Sequence, residues 1–339
     1  MRDDRRVVRW LIAVVAAAAI GLPVYLGAAV AQPQALTLKW ALITPETFPY
    51  MDGARKFKEL IEQRSGNRIR VEIFPGGQLG AERDINEAIL EGAIHIGVGA
   101  GAMANLAPIY NLVQVPFLIQ GQDHMERIAL GPTGAKIARR IEEQARFRVL
   151  AWFSTGDSAI ETVKQPVRHP NDLRGVKIRI IENPILRVTF LAFAANPTPM
   201  PYTEIYTGLR QGVIEGAHLD VVSVDALKIY EIAKYITDWE QIAFLAEPRP
   251  VIMNARFVDG LPDADRKLIQ DAMLEAAAHE RRVFRERMKT IRRTLVEKGM
   301  QITQVDAEAF VTRVRPIWRQ WAADLKAEDI LEEIVRLRR

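Results

Sequence analysis

Cysteine is absent from all 339 residues. Disulfides, thiolate nucleophiles, zinc–thiolate sites and lipid attachment through cysteine are excluded together. Histidine is scarce. His95, His124, His169, His218 and His279 never fall at H-E-x-x-H or a comparable spacing, so no metal is expected. No G-x-S-x-G is present, which removes the nucleophile elbow. The stretch GVGAGAMA (97–104) places Gly97, Gly99 and Gly101 after a strand, but Ala102 and Ala104 stand near where a third glycine belongs. No P-loop lysine follows, so neither a dinucleotide nor a nucleoside triphosphate cofactor is expected. A loop whose backbone closely approaches a ligand or a neighbouring strand explains these glycines more simply.

Strong charge is also lacking. The formal net charge is +4, dispersed along the chain, which does not suggest a nucleic-acid binder. Long apolar runs are confined to the beginning. Arg2, Arg5, Arg6 and Arg9 precede an uncharged run ending in Ala29-Val30-Ala31, the pattern of a cleaved secretory signal peptide over 1–31. The alternative is a retained anchor, because the run approaches the ~20 residues that span a bilayer. Pro23 and the small-residue site favour cleavage. Its removal takes away four arginines and two aspartates and brings the charge to +2.

What remains reads as ordinary globular protein, 49% apolar and 26% charged, long enough for roughly two domains at ~150 residues each. The stretch 37–44 reads as a strand, 51–67 as an amphipathic helix stopped by Gly66-Asn67, and 68–74 as an alternating strand. A turn at 75–84, a helix and a further strand complete a β-α-β-α-β rhythm, which indicates an α/β fold with mostly parallel strands. Residues 262–298 read as one long charged helix, and 306–326 as a last helix. No disordered tether separates the lobes, so connecting strands must join them, an arrangement suited to hinge motion around a cleft.

In DLRGVKIRII (172–181), Val176, Ile178 and Ile180 alternate with Lys177 and Arg179, a half-buried strand with two cations on its other face. Trp152 and Tyr202 lie near predicted loop edges, where ligands are commonly met, although core packing explains either equally well. His218 beside Asp220 is the single pair that an acid–base enzyme could use. A hydrogen-bonded histidine at a strand end is the simpler reading.

The ordered set FPGGQLGAERD (74–84), LRGVKIRI (173–180), ANPTPMPYTEIYTGLRQGVIEGA (195–217) and KIYEIAKYIT (228–237) resembles the substrate-binding component of TRAP transporters, the tripartite ATP-independent periplasmic systems, and more narrowly the C4-dicarboxylate-binding type. The resemblance spans nearly all of the chain after residue 31. It implies a two-lobed periplasmic solute-binding fold with mixed sheets, hinge strands and a long helix across the lobes. Lobe I would comprise 36–155 plus about 252–305 and lobe II 156–251, with helix 306–326 packing back on both. It implies a periplasmic protein that captures a small organic acid and delivers it to ion-gradient-driven membrane permease subunits. No catalysis and no cofactor are implied. A monomer is expected, although some relatives dimerise through the long helix. A sensor subunit for a membrane signalling protein and an extracytoplasmic lyase or isomerase are the alternatives.

By the same resemblance the ligand-binding arginine falls on Arg179, whose planar fork suits a carboxylate. Lys177 is expected to be solvated. Tyr202 falls where an aromatic meets the ligand, Asn183 beyond the arginine strand in the same cleft, and Thr44 and Phe48 in the first-lobe loop. Trp152 would form an apolar wall. Leu219 stands where an asparagine contact is usual, beside Asp220, and Arg249 is a candidate second cation with a structural role as the alternative. Ala100 and Met103 replace the first-lobe glutamate and arginine of sialic-acid binders. These departures point away from sialic acid and from a standard dicarboxylate clamp, toward a less polar aromatic or branched carboxylate.

Overall fold

A computed structural model describes residues 35–239 and 242–338. The signal segment expected over 1–31 lies outside the described residues. No helix among the described residues is long and apolar enough to cross a membrane.

Among the described residues eleven strands form two mixed sheets. They are β1 (Leu36–Ala41), β2 (Ile69–Phe74), β3 (Ile96–Val98), β4 (Phe147–Phe153), β5 (Ser158–Thr162), β6 (Lys177–Ile180), β7 (Asn196–Pro199), β8 (Gly216–Asp220), β9 (Tyr235–Asp238), β10 (Arg249–Asn254) and β11 (Gln301–Gln304). The first sheet has the order β2-β1-β3-β10-β4 and the second β11-β9-β5-β8-β6-β7. Strands β1, β2 and β3 run parallel, and β10 is antiparallel to both β3 and β4. In the second sheet β6 is parallel to β7 and β8, whereas β5 is antiparallel to β8 and β9.

Local sequence explains most of these elements. The helix Glu82–Glu91 ends at Gly92, whose φ of 83° is the left-handed cap that glycine adopts freely. Strand β7 contains Pro197 and Pro199, which cannot donate to a ladder, and it occupies the sheet edge where that costs least. The helix Asp263–Glu297 has 35 residues and so extends about 52 Å. It packs against helix Tyr50–Arg64 and β4 on the side of the first sheet and against helix Val221–Ala226 beside the second.

Two details differ from the sequence expectation. Strand β11, within the range 252–305 assigned to lobe I, pairs with β9 and belongs to the second sheet. The chain end carries two helices, Ala307–Asp324 and Glu328–Arg336, where one was expected over 306–326. The first places Phe310 against Phe193 and Trp239, and the second packs on helix Pro132–Ala145.

Gly216 holds the middle of the second sheet at close quarters. A Cβ there would lie 2.4 Å from the Glu161 carbonyl oxygen and 2.7 Å from Ile178 Cδ1. The neighbouring backbone cannot yield without disturbing the β5–β8 ladder. Gly216→Ala should therefore cost about 1–3 kcal/mol, the usual range for overpacking a tight interior. A urea-unfolding midpoint equal to that of the parent would refute this.

Candidate functional site

Parallel strands set the position of the site. In open α/β sheets ligands bind beyond the carboxyl ends of the strands. Here the segments following β1 and β3 in one sheet, and the carboxyl ends of β6 and β8 in the other, converge on one cavity. Its volume is about 800 Å³, part of it open to solvent. The two sides touch at its margin. Gly101 sits so near Ile181 that a Cβ would come within 2.4 Å of it, and Asn105 Nδ2 donates to the Glu182 carbonyl at 3.4 Å.

Strand alternation sends Ile178 and Ile180 into one hydrophobic cluster and turns Arg179 to the opposite face, toward the cavity. Arg179 is only 3% exposed. Its Nε donates to the Met200 carbonyl at 3.0 Å and Nη1 to the His218 carbonyl at 3.3 Å. Its Nη2 is buried with no partner. Burial lowers the guanidinium pKa to about 10, so it remains charged at neutral pH. Lys177, one turn of the pleat away, is exposed, as expected.

Arg249, at the start of β10, is a different kind of cation. Its Nη2 is paired with Glu247, whose side chain is 3% exposed. Glu247 also accepts from Gln114 Nε2 at 2.5 Å and from the Tyr110 hydroxyl at 3.4 Å. Burial opposes the Arg249 charge, but Glu247, Tyr110, Tyr50 and Glu82 together hold its pKa above the ordinary value. Its Nε and Nη1 face no acceptor.

The remaining polar wall consists of acceptors already engaged and donors still free. Glu82 accepts from the backbone amides of Ala100 at 2.7 Å and of Ala102 and Met103 at 3.2 Å each. Asp220 caps helix Val221–Ala226 through Ser223 N at 2.9 Å and accepts from Ser223 Oγ at 2.5 Å. The Tyr202 hydroxyl donates to Ser223 Oγ at 3.0 Å. Burial pushes the Glu82, Asp220 and Glu247 carboxyls up, countered by these donors and by Arg249. Thr44 Oγ1 is buried without a partner. Phe48, Leu186, Leu219 and Leu245 supply apolar wall.

Of the residues singled out from sequence, Arg179, Tyr202, Thr44, Phe48, Leu219, Asp220 and Arg249 line the cavity together. Asn183 does not. It caps helix Pro184–Ala192 through Leu186 N, and its Nδ2 donates to Gln114 Oε1 at 2.6 Å and Asn111 Oδ1 at 3.0 Å. Trp152 is also elsewhere, bordering a surface groove with Leu130 and Arg281. Trp152 pairs with Pro250 in the β4–β10 ladder, and its carbonyl accepts from Arg281 Nη1 at 2.7 Å.

His218 lines the cavity, but its ring packs edge-on against Phe244 at 5.0 Å and tilted against Phe190 at 5.7 Å. Burial, with Arg179 and Arg249 nearby, lowers its pKa to about 3, so it is neutral at physiological pH. Asp220 is engaged by Ser223 and not by His218, so the pair weighed for acid–base chemistry is not assembled.

The sequence reading missed Glu82 and Glu247. A glutamate in the first turn of a helix reads as a dipole-complementing surface residue. Glu247 did carry a signal: a carboxylate inside the apolar stretch AFLAEPRPVIM.

Residues 41–324 match the profile of bacterial extracellular solute-binding protein family 7. The ectoine/5-hydroxyectoine-binding periplasmic protein of Ruegeria pomeroyi is 34% identical over 78% of this chain and 76% of its own length. A TRAP periplasmic solute-binding protein from Bordetella bronchispeptica, with density assigned to pantoate, superposes with a TM-score of 0.83 at 27% identity, covering 90% of this chain and 100% of that one. Another from Roseobacter denitrificans OCh 114, with bound L-galactonate, gives 0.82 at 27% identity over 90% of this chain and 99% of that one. The chain therefore belongs to bacterial extracellular solute-binding protein family 7 and is the solute-binding component of a TRAP transporter, a binding protein and not an enzyme.

Proposed function

We propose that the cavity takes a small monocarboxylate with a branched, hydroxylated body. The observation that carries this is the charge balance of the wall. Arg249 is already paired with Glu247, so among the described lining residues Arg179 alone offers a guanidinium with no ionised partner. One such cation matches one carboxylate. A second carboxylate would be desolvated beside Glu82 and Asp220 without a cation of its own, which is costly. Hydroxyl groups would satisfy Thr44 Oγ1 and the free Arg249 nitrogens, and the leucine and phenylalanine walls suit a branched carbon body. Walls from both sheets close on the cavity, which favours a compact acid.

The wider role follows the family. The protein works in the periplasm as a monomer and passes its acid to the membrane permease subunits, the lobes opening about the connections between β4 and β5 and between β9 and β10. Relatives supply the range of candidates, which includes pantoate and L-galactonate.

A thermal-shift and calorimetry panel of pantoate, 2-hydroxy-3-methylbutanoate, L-galactonate, galacturonate and succinate tests this. A ligand at 100 times its Kd stabilises the native state by about 2.7 kcal/mol. Pantoate or 2-hydroxy-3-methylbutanoate should raise Tm most, with succinate inert. Succinate binding more tightly than every monocarboxylate would defeat the charge argument.

A further inference from the structure

Glu161 is a carboxyl where the fold has no evident use for one. It lies in β5, is 0% exposed, and its carboxyl has no side-chain partner, with only the Glu161 and Leu219 amides close enough to act on it as donors. Its position in the sheet gives it meaning. Glu161 is directly opposite Ala217 of β8, and Ala217 is directly opposite Arg179 of β6. Register partners point to the same face, so Ile236, Glu161, Ala217, Arg179 and Thr198 form one row across five strands. Strands about 4.8 Å apart place the Glu161 and Arg179 backbones about 10 Å apart, within the combined reach of two long side chains. Ala217, with its small side chain, is the residue of the row between them.

We infer that Glu161 is a second, internal partner for the Arg179 guanidinium, competing with the ligand carboxylate for the same cation. In the arrangement described, Arg179 is aimed at the cavity and Glu161 is left without a partner. When the lobes part and no carboxylate is bound, Arg179 turns down the row onto Glu161, and the ion pair holds the clamp off the cavity. Ligand entry reverses this. Glu161 is then a positioning residue, acting on the ligand through Arg179.

The pairing dictates a proton balance. Arg179 on β6 and Asp220 at the end of β8 are the charged groups facing Glu161, with Tyr202 beside Arg179. The surrounding cluster from β9 and the helices Ile205–Arg210 and Val221–Ala226 is apolar, including Ile236, Leu209 and Val224. Without the pair, burial pushes the Glu161 carboxyl well above its usual range. Asp220 adds to this, and Arg179 and the Glu161 and Leu219 amides oppose it. With the pair, the ionised form is favoured. Binding therefore moves Glu161 from ionised to protonated and takes up a proton from solvent. The effect operates above the pKa of the paired state and below that of the unpaired state, and affinity falls as pH rises through that window.

The inference rests on Arg179 being the carboxylate clamp, and the experiment separates the two. Pantoate is titrated into wild type and Glu161→Gln by calorimetry, in buffers of different ionisation enthalpy, from pH 6 to pH 8. Wild type should take up close to one proton and lose roughly tenfold in affinity for each pH unit, about a hundredfold across that range. Glu161→Gln should take up none, show a flat pH profile and bind more tightly than wild type at pH 8. Equal affinities and equal proton uptake in the two proteins would overturn the inference. If pantoate does not bind wild type, the proposed ligand class fails instead. The competitor is then read in the ligand-free protein from the Glu161 carboxyl ¹³C shift, assigned against Glu161→Gln. An ionised carboxyl at pH 7 is expected, and a protonated one overturns the inference.

Discussion

Arg179→Ala is expected to weaken ligand binding by about two to three orders of magnitude while leaving the protein folded. Charge-assisted hydrogen bonds contribute about 1.5–3 kcal/mol each. A carboxylate that accepts from the free Nη2 and shares Nη1 loses about 3–4 kcal/mol on truncation, and every ~1.4 kcal/mol is tenfold in Kd. Stability should respond differently. The guanidinium is buried, holds two carbonyl hydrogen bonds and forms no ion pair in this arrangement. Its removal relieves desolvation as well as losing bonds, and a Glu161 deprived of its cation can protonate, so the loss should stay below the about 3–5 kcal/mol of a broken buried ion pair. Arg179→Met, which keeps most of the volume, separates lost charge from a new cavity. Arg179→Lys should fall between, because a point charge cannot reproduce the fork. Calorimetry giving an unchanged Kd for Arg179→Ala would remove the clamp assignment altogether.

This residue was legible in the sequence because its strand is regular. Val176, Ile178 and Ile180 alternate without interruption, so the face of Arg179 followed from counting, while its role as a clamp is what the family resemblance implies and the calorimetry tests. Strand β5 shows the opposite case. Ser158, Ala159, Ile160, Glu161 and Thr162 are all buried, so no half-exposed alternation marks the strand. A glutamate at a core-facing position further argues against a strand locally. Such a conflict between local pattern and global fold is what a site of function or strain leaves behind. Strand β7 escaped for another reason, since Asn196–Pro199 has the composition of a turn and becomes a strand only because the edge of the sheet tolerates its prolines.

The polar network was illegible because its contacts are remote in sequence. Glu247 meets Gln114 across 133 positions, and Gln114 meets Asn183 across 69. Apart from the apolar stretch around Glu247, nothing local distinguishes these side chains from surface ones. The resemblance drew Asn183 toward the cleft by proximity to Arg179, but its position at the helix N-terminus turns it to the capping task and to Gln114 instead. It still bears on the site indirectly. Asn183 donates to Gln114 Oε1, which orients the amide so that Nε2 donates to Glu247, which in turn holds Arg249.

The largest stability effect is expected at the end of that chain. Glu247→Ala leaves the Arg249 guanidinium buried with its ion-pair partner gone and Gln114 Nε2 without its acceptor. Removing one member of a buried pair typically costs about 3–5 kcal/mol, because the surviving charge stays desolvated. At roughly 2–4 °C for each kcal/mol in a chain of this size class, Tm should fall by on the order of 10 °C. The double variant Glu247→Ala/Arg249→Met should recover much of that loss, since replacing both charges by apolar volume is often close to neutral. A double-mutant cycle by thermal or urea unfolding measures this coupling directly, and residues in contact commonly couple by about 0.5–3 kcal/mol. Additive losses, with the double variant less stable than either single one, would mean that Glu247 and Arg249 are held independently. Monocarboxylate affinity in the double variant decides the remaining question. If Arg249 contributes only hydrogen bonds to hydroxyl groups, binding of pantoate should weaken far less than in Arg179→Ala, because the carboxylate keeps its own guanidinium.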